Sequence, residues 1–344
     1  MLFRNLYFVV IIVLLNLLSV CASGESEADD SWMLDKNTSV YSDGGILFVH
    51  MKNWDYGGLY YCISKDGVNW TMLNYNKTIE PRYNGHPDIM KGRDGRYYMI
   101  AGVEPSVDPV NPAVWVSEDL LEWDVECLIP HEVMDTIKDY KTQPRWFGAP
   151  KLFYDEDSDQ YMITWHSCLE KYYEQGNAEW ESYRTFYVLT KDFRTFTSPK
   201  RLFDFKSDTY KDMATIDAIV RKVDGKYYSI VKDERWLETS PTGKSVRICS
   251  SDNLTGPYCE PEIAVTPMDK DGYEAPILMP NPEENGWYIF AENIATKYYE
   301  RFDAPTIEST TWTKFYLPIE DTRHGCMVRI NQIQYDALME KYGY

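Results

Sequence analysis

Short apolar and aromatic runs, each opened by a turn and separated by polar positions, recur along the 344-residue chain and predict β-strands. One recurring phrase is an aromatic strand behind a tight turn: Asp94-Gly95-Arg96-Tyr97-Tyr98, Ser158-Asp159-Gln160-Tyr161, Asp224-Gly225-Lys226-Tyr227-Tyr228 and Asn285-Gly286-Trp287-Tyr288. A second closes the following strand: Ser64-Lys65-Asp66-Gly67, Ser117-Glu118-Asp119-Leu120, Thr190-Lys191-Asp192-Phe193 and Ser251-Asp252-Asn253-Leu254. The steps from Tyr97 to Tyr161, Tyr227 and Trp287 are 64, 66 and 60 residues, enough for one four-stranded antiparallel sheet with its loops. Such a sheet cannot bury both faces alone, so the units must pack on one another as blades. Helical periodicity is confined to a turn or two around Tyr335 to Tyr342.

An inner strand precedes each aromatic one: Gly85-His86-Pro87-Asp88-Ile89-Met90, Gly148-Ala149-Pro150-Lys151-Leu152-Phe153, Thr215-Ile216-Asp217-Ala218-Ile219-Val220 and Tyr273-Glu274-Ala275-Pro276-Ile277-Leu278. Proline sits near the beginning of three of them, a position that suits a strand start or edge. The segment Arg323-His324-Gly325-Cys326-Met327-Val328-Arg329-Ile330 has the same form near the C-terminus, whereas Ile46 to Met51, Leu59 to Ser64 and Trp70 to Leu73 lack an inner strand. Pairing the two ends completes a fifth blade. The expected fold is all-β, a single five-bladed β-propeller over residues 41–344 closed by pairing of N- and C-terminal strands, with polar strand starts crowding one mouth of the channel.

Composition narrows the class of partner. A net charge of −19 opposes a phosphate backbone or an anionic membrane, so no nucleic acid partner is expected, while 28 tyrosines and 11 tryptophans suit a sugar-facing surface. Residues 1–22 read as a signal peptide: Arg4 gives the positive start, Leu6 to Leu18 the apolar stretch, and Val20-Cys21-Ala22 the small residues for cleavage. Residues 23–40 read as a flexible acidic segment. The expected location is secreted, extracellular or periplasmic; the alternative is a lipid anchor at the cell surface through Cys21, which would be the one link to a membrane. Six cysteines remain after Cys21 without metal-ligand spacing. Cys249 and Cys259 flank one hairpin and can bridge, scattered thiols being the alternative.

Several segments resemble the family 43 glycoside hydrolases, five-bladed propellers that cleave arabinose, xylose or galactose units from plant-type polysaccharides. They are Ala149-Pro150-Lys151-Leu152-Phe153-Tyr154-Asp155, the run from Arg184 to Phe193, Ile216-Asp217-Ala218 with Lys232-Asp233-Glu234, Glu274-Ala275-Pro276, and Arg323-His324-Gly325. The resemblance implies three groups at the mouth: a base, an Asp that tunes the acid, and a Glu that protonates the leaving oxygen. Here the acid would be Glu274 and the tuner Asp217, an ionised neighbour that raises the acid's pKa. These two lie 57 residues apart, one blade, and His86 lies 131 residues before Asp217, two blades.

The chain departs from the family pattern at two places. Where relatives carry Asp-Pro as the base, this chain has His86-Pro87, with Asp88 two residues on; the base is His86, Asp88, or lost. A base with an unperturbed imidazole would put the acidic limb of activity near a pH of about 6.5. Where relatives carry Trp-Ala-Pro-Glu, this chain has Gly148-Ala149-Pro150-Lys151, which changes the shape and sign of the pocket. Lys151 points to a substrate with a carboxylate or sulfate, or to a lysine satisfied by neighbouring acids.

Lys151, Arg184 and His324 are the candidate substrate contacts. The resemblance also places a calcium ion in the central channel beside His324; no cofactor is otherwise required, and the alternative for His324 is a buried histidine with one backbone hydrogen bond. His50, His131 and His166 read as structural, with His166 able to reach the rim. The expected protein is a monomeric, exported glycosidase acting with inversion on side chains or oligosaccharides of plant-type or algal polysaccharides. The rival is a glycan-binding propeller that has lost its base.

Overall fold

The computed structural model describes residues 44–103, 111–142, 148–268, 272–281, 286–319 and 321–344. The signal and acidic segments, and Cys21 with them, lie outside the described residues.

The strands form five sheets, each the length of one sequence repeat. The first contains β1 (Gly45–Met51), β2 (Tyr60–Ser64) and β3 (Thr71–Met72); the second, β4 (Tyr83–Lys91), β5 (Tyr97–Val103), β6 (Asn111–Ser117) and β7 (Asp124–Leu128). The third holds β8 (Tyr140–Thr142), β9 (Lys151–Asp155), β10 (Gln160–Leu169), β11 (Arg184–Thr190) and β12 (Lys200–Arg201). The fourth is β13 (Thr215–Val223), β14 (Lys226–Asp233), β15 (Ser245–Ser251) and β16 (Ile263–Ala264), and the fifth β17 (Tyr273–Asn281), β18 (Gly286–Asn293), β19 (Tyr298–Ala304) and β20 (Thr313–Ile319). Strand β21 (Arg323–Ile330) returns to the first sheet, pairing antiparallel with β1 from Gly45↔Ile330 to Met51↔Arg323. The ring is closed as the sequence predicts, and β4, β9, β13, β17 and β21 neighbour one another around its axis.

The recurring closing phrase is a turn device. Ser64, Ser117 and Thr190 each accept, at 2.9 Å, from the backbone N–H three residues on. Asp66, Asp119 and Asp192 accept from the N–H groups that follow. A short polar side chain that satisfies turn amides thus fixes the strand end in the first three sheets. The core lies between blades: Leu47, Tyr61, Met99 and Trp115 pack between the first and second, and Ile230, Val246, Ile289 and Phe302 between the fourth and fifth. The C-terminal helix, Gln332–Tyr342, begins at a capping box formed by Asn331 and Gln334 and lays Tyr335, Leu338, Met339 and Tyr342 on the first two blades.

All six described cysteines are free thiols, so of the two readings of Cys249 and Cys259 the structure has the scattered thiols. Cys249 is buried in β15 toward the carbonyl of Ser229, whereas Cys259 is exposed beside Ser250.

Candidate active site

Three inner strands are irregular where they enter the channel. The register slips between Asn84 and Asp88 in β4, between Ile216 and Ile219 in β13, and between Glu274 and Ile277 in β17. Ala149, Asp217 and Ala275 occupy equivalent left-handed positions with φ of 44°, 51° and 48°. This conformation costs a non-glycine residue energy and recurs where a bulge re-aims side chains, with Asp among the residues that tolerate it best. At Gly148, with φ of 59°, an added Cβ would overlap the carbonyl of His166, which accounts for glycine in place of an aromatic residue.

The bulges bring Asp217, Glu274 and His324 together: one ligand atom from each lies within 4.8 Å of the others. Asp217 is 2% exposed, and its Oδ2 accepts from the backbone N–H of Ala275 at 3.1 Å. Glu274, with 14% of its side chain exposed, has Oε2 at 3.1 Å from Lys232 Nζ and Oε1 at 3.2 Å from His324 Nε2 and 3.4 Å from Arg323 Nη2. Behind these, Lys232 lies 2.6 Å from Glu234, Glu234 lies 2.5 Å from Lys244, and Arg323 meets Glu292 through Nε and Asn53 through Nη1.

Burial by itself raises the Glu274 carboxyl, but Lys232, His324 and Arg323 outweigh it and hold the group well below the usual glutamate range. The expectation of an acid raised by Asp217 is therefore not the resting state: Glu274 is an anion among cations. Glu292, sealed from solvent and beside that anion, is pushed up instead.

His86 is 3% exposed; its ring stacks at 4.1 Å on that of His324 and meets the edge of Tyr56 at 5.4 Å. Burial, then His324, Lys151 and His166, push it well below 6.5, so it is a neutral imidazole. Asp88 goes elsewhere. Its Oδ2 accepts from Leu152 N–H at 2.7 Å and its Oδ1 lies 3.4 Å from Arg221, a tie between the second, third and fourth inner strands. Arg184 is not brought into the cluster: its guanidinium donates to the carbonyls of Glu181, Tyr183 and Asp212.

Asp217, Glu274 and His324 offer two carboxylates and one imidazole, and both Glu274 oxygens already face cationic or imidazole nitrogens, so a calcium ion beside His324 would take most of its six to eight oxygens from water. At the opposite end of the inner strands is a cavity of about 400 Å³, lined by Met90, Phe153, Ile277, Met279 and Met327 with Arg221 at its side.

Sequence reasoning assigned no role to Lys232, Glu292, Arg323 or Tyr56. A signal for the first two was present: the fifth residue after each aromatic marker is Gly102, His166, Lys232 and Glu292. In the fourth and fifth blades this position faces the bulge across the sheet, as Lys232↔Ile216 and Glu292↔Glu274.

Residues 44–336 match the profile of the family 43-related glycosyl hydrolases, described as "Probable glycosyl hydrolase domain". The chain belongs to this family. An alpha-L-arabinofuranosidase of Bifidobacterium longum subsp. longum is 26% identical over 192 residues, 48% of this chain and 17% of that protein, so the chain spans under a fifth of the relative's length. Among solved structures, an exo-beta-1,3-galactanase from Clostridium thermocellum aligns with TM-score 0.50 and 14% identity over 70% of this chain and 49% of its own. An alpha-L-arabinofuranosidase from Lactobacillus brevis gives 0.48 and 16% over 68% and 73%.

Proposed function

We propose that the protein is an exported, monomeric glycosidase that releases arabinose-, xylose- or galactose-type units from side chains or oligosaccharides of plant-type or algal polysaccharides, with inversion. The convergence of Asp217, Glu274 and His324 within 4.8 Å, with His86 stacked on His324, carries this reading. His86 takes a proton from water as the water attacks the anomeric carbon; Glu274 gives a proton to the leaving oxygen as the glycosidic bond breaks. The neutral state of His86 suits it to the first step. His86 stacks on His324, whose Nε2 faces Glu274, so the two groups flank that ring. Asp217, beside Glu274, opposes its ionisation.

Glu274 must gain its proton as substrate enters. Each cation that holds it ionised has a second partner in place, Glu234 for Lys232 and Glu292 for Arg323. Turning toward those partners would release the carboxyl to protonate. The arabinofuranosidase relative supports a pentose among the sugars.

One observation favours the glycan-binding alternative: His86 is nearly sealed beneath Tyr56 and His324, and Glu274 rests ionised. Reducing-sugar release from a panel of aryl glycosides and plant and algal polysaccharides, with the product anomer read by NMR, separates the two. Hydrolysis with inversion supports the enzyme; binding without turnover on every glycan supports the alternative. Mass spectrometry of the exported chain's N-terminus distinguishes cleavage near Ala22 from a lipid on Cys21.

A further inference from the structure

Nearly every buried cation among the described residues has an acceptor at hand, and Lys151 does not. Lys52 meets Asp321, Lys232 meets Glu234 and Glu274, Lys244 meets Glu234, Arg323 meets Glu274 and Glu292, and Arg247 is ringed by carbonyls and hydroxyls. Lys151 is 3% exposed, yet among the described residues its ammonium has neither a hydrogen bond nor an ion pair. It begins β9 opposite Thr164, on the face of the blade that also carries His166, and it acts electrostatically on both His86 and His166. It therefore sits in the same mouth as the candidate catalytic groups.

Lys151 is buried along its stem and ends in an ammonium that no side chain neutralises, so it offers a positive charge to an anion that enters the mouth. Aspartates and glutamates of the mouth do not fill the role: Glu274 faces Lys232 and Arg323, Glu234 faces two lysines, and Asp88 faces Leu152 N–H and Arg221. The neighbouring imidazoles of His86 and His166 are neutral, so they can hydrogen-bond sugar hydroxyls or the same anion without competing for it.

We propose that the sugar unit entering this mouth carries an oxyanion, the carboxylate of a uronic acid or a sulfate ester, and that Lys151 is the residue that selects it. This rests on reading the mouth as the sugar site. The charge of the whole protein limits the form of the ligand. At −19 it repels a polyanionic chain at long range, with a reach of about 8–10 Å at ordinary salt, so a single acidic unit delivered to a buried lysine is favoured over a polyanion lying across the surface. An anion seated here also works in the direction the acid needs, since added negative charge in the mouth opposes the pull of Lys232 and Arg323 on Glu274.

The test uses the full chain with three sets of oligosaccharides matched in length: neutral, capped with glucuronic or galacturonic acid, and carrying galactose sulfate. Hydrolysis and calorimetric binding are both measured. A charge-assisted hydrogen bond corresponds to a preference for one of the acidic sets of about 10- to 100-fold, and Lys151→Met should erase that preference while leaving the melting temperature unchanged or higher. Lys151→Arg, which retains the charge, should keep the preference and serves if the methionine variant does not fold. The uronate and sulfate sets identify which oxyanion is read. Preference for the neutral set, or a preference for acidic glycans that survives Lys151→Met, overturns the inference while leaving the hydrolase reading intact. Binding of acidic glycans that depends on Lys151 without turnover upholds it and overturns the hydrolase. Neither binding nor turnover on any set overturns both.

Discussion

Asp217 accepts a hydrogen bond from the backbone N–H of Ala275, the residue that follows Glu274, so the fourth blade fixes the backbone from which the fifth blade's glutamate projects. The aspartate is thus a positioning group as well as a charge. Its own left-handed φ of 51° aims it there. Asn tolerates this conformation and can still accept the hydrogen bond, so Asp217→Asn is expected to fold normally and lose activity through its charge alone. Asp217→Ala adds loss of the hydrogen bond and a left-handed cost of about 1–2 kcal/mol, and should melt lower; thermal unfolding beside turnover separates the two losses.

Glu274→Gln is expected to lower turnover by about 10²- to 10⁴-fold, the range of general acid catalysis. Substrates whose leaving groups need no protonation should lose much less. Equal losses on aryl glycosides with good and poor leaving groups would reject the acid assignment.

For His86, the structure moves the acidic limb of kcat/KM below the unperturbed value near 6.5, because burial and the surrounding cations disfavour its protonation. His86→Ala should abolish hydrolysis, with partial recovery in azide. Asp88→Asn should instead show mainly as a lower melting temperature, since it weakens the tie to Leu152 and Arg221. A profile flat down to the carboxylate range in both wild type and His86→Ala would remove His86 from the mechanism.

Acid should weaken the fold in two stages. Burial pushes His50 to about 3 and His166 to about 4. A histidine lowered in the folded state lets the unfolded chain bind the proton first, so this stability is complete above about 6.5 and is lost as pH falls toward 4 and then 3, at up to about 1.4 kcal/mol per pH unit per histidine. Below the ordinary glutamate value of 4.5, Glu274, whose pKa is lowered, adds a second loss. Melting temperature against pH should show both, and His50→Gln with His166→Gln should reduce the first, leaving the share of His86, which burial also holds below 6.5.

Gly325→Ala tests the closure of the ring. A Cβ there would overlap Val49 O and crowd Phe48, both on β1. The expected result is a melting temperature lower by several degrees. Gly95→Ala, where a Cβ would meet nothing within 4 Å, provides the contrast, with only its positive φ of 82° opposed.

The blades were legible because a turn that satisfies its own amides needs the same residues each time, and Ser64, Ser117 and Thr190 make the same bond. The inner strands followed because Glu274 and Asp217 stand in matching motifs. What the motifs could not convey was the state of Glu274. That depends on Lys232 and Arg323, which reach it from neighbouring blades, and pattern along one strand carries no charge information from the next. Arg184 shows the opposite failure: its segment resembles the family, but the side chain turns to backbone carbonyls of its own blade and the adjoining loop. The Lys151 substitution was visible as a change of sign, whereas its lack of a partner required the fold.

The pairing of β21 with β1 joins positions as distant as Gly45 and Ile330, and the same strand delivers Arg323 and His324 to Glu274. Contacts so remote in sequence form late and slowly. The groups that hold Glu274 from the first blade belong to the last strand, so without that pairing the mouth lacks Arg323 and His324. Competence at the site thus requires completion of the ring, and a bound glycan that touches both β17 and β21 would act as a clasp on the circle, favouring its closed form more as glycan concentration exceeds the dissociation constant.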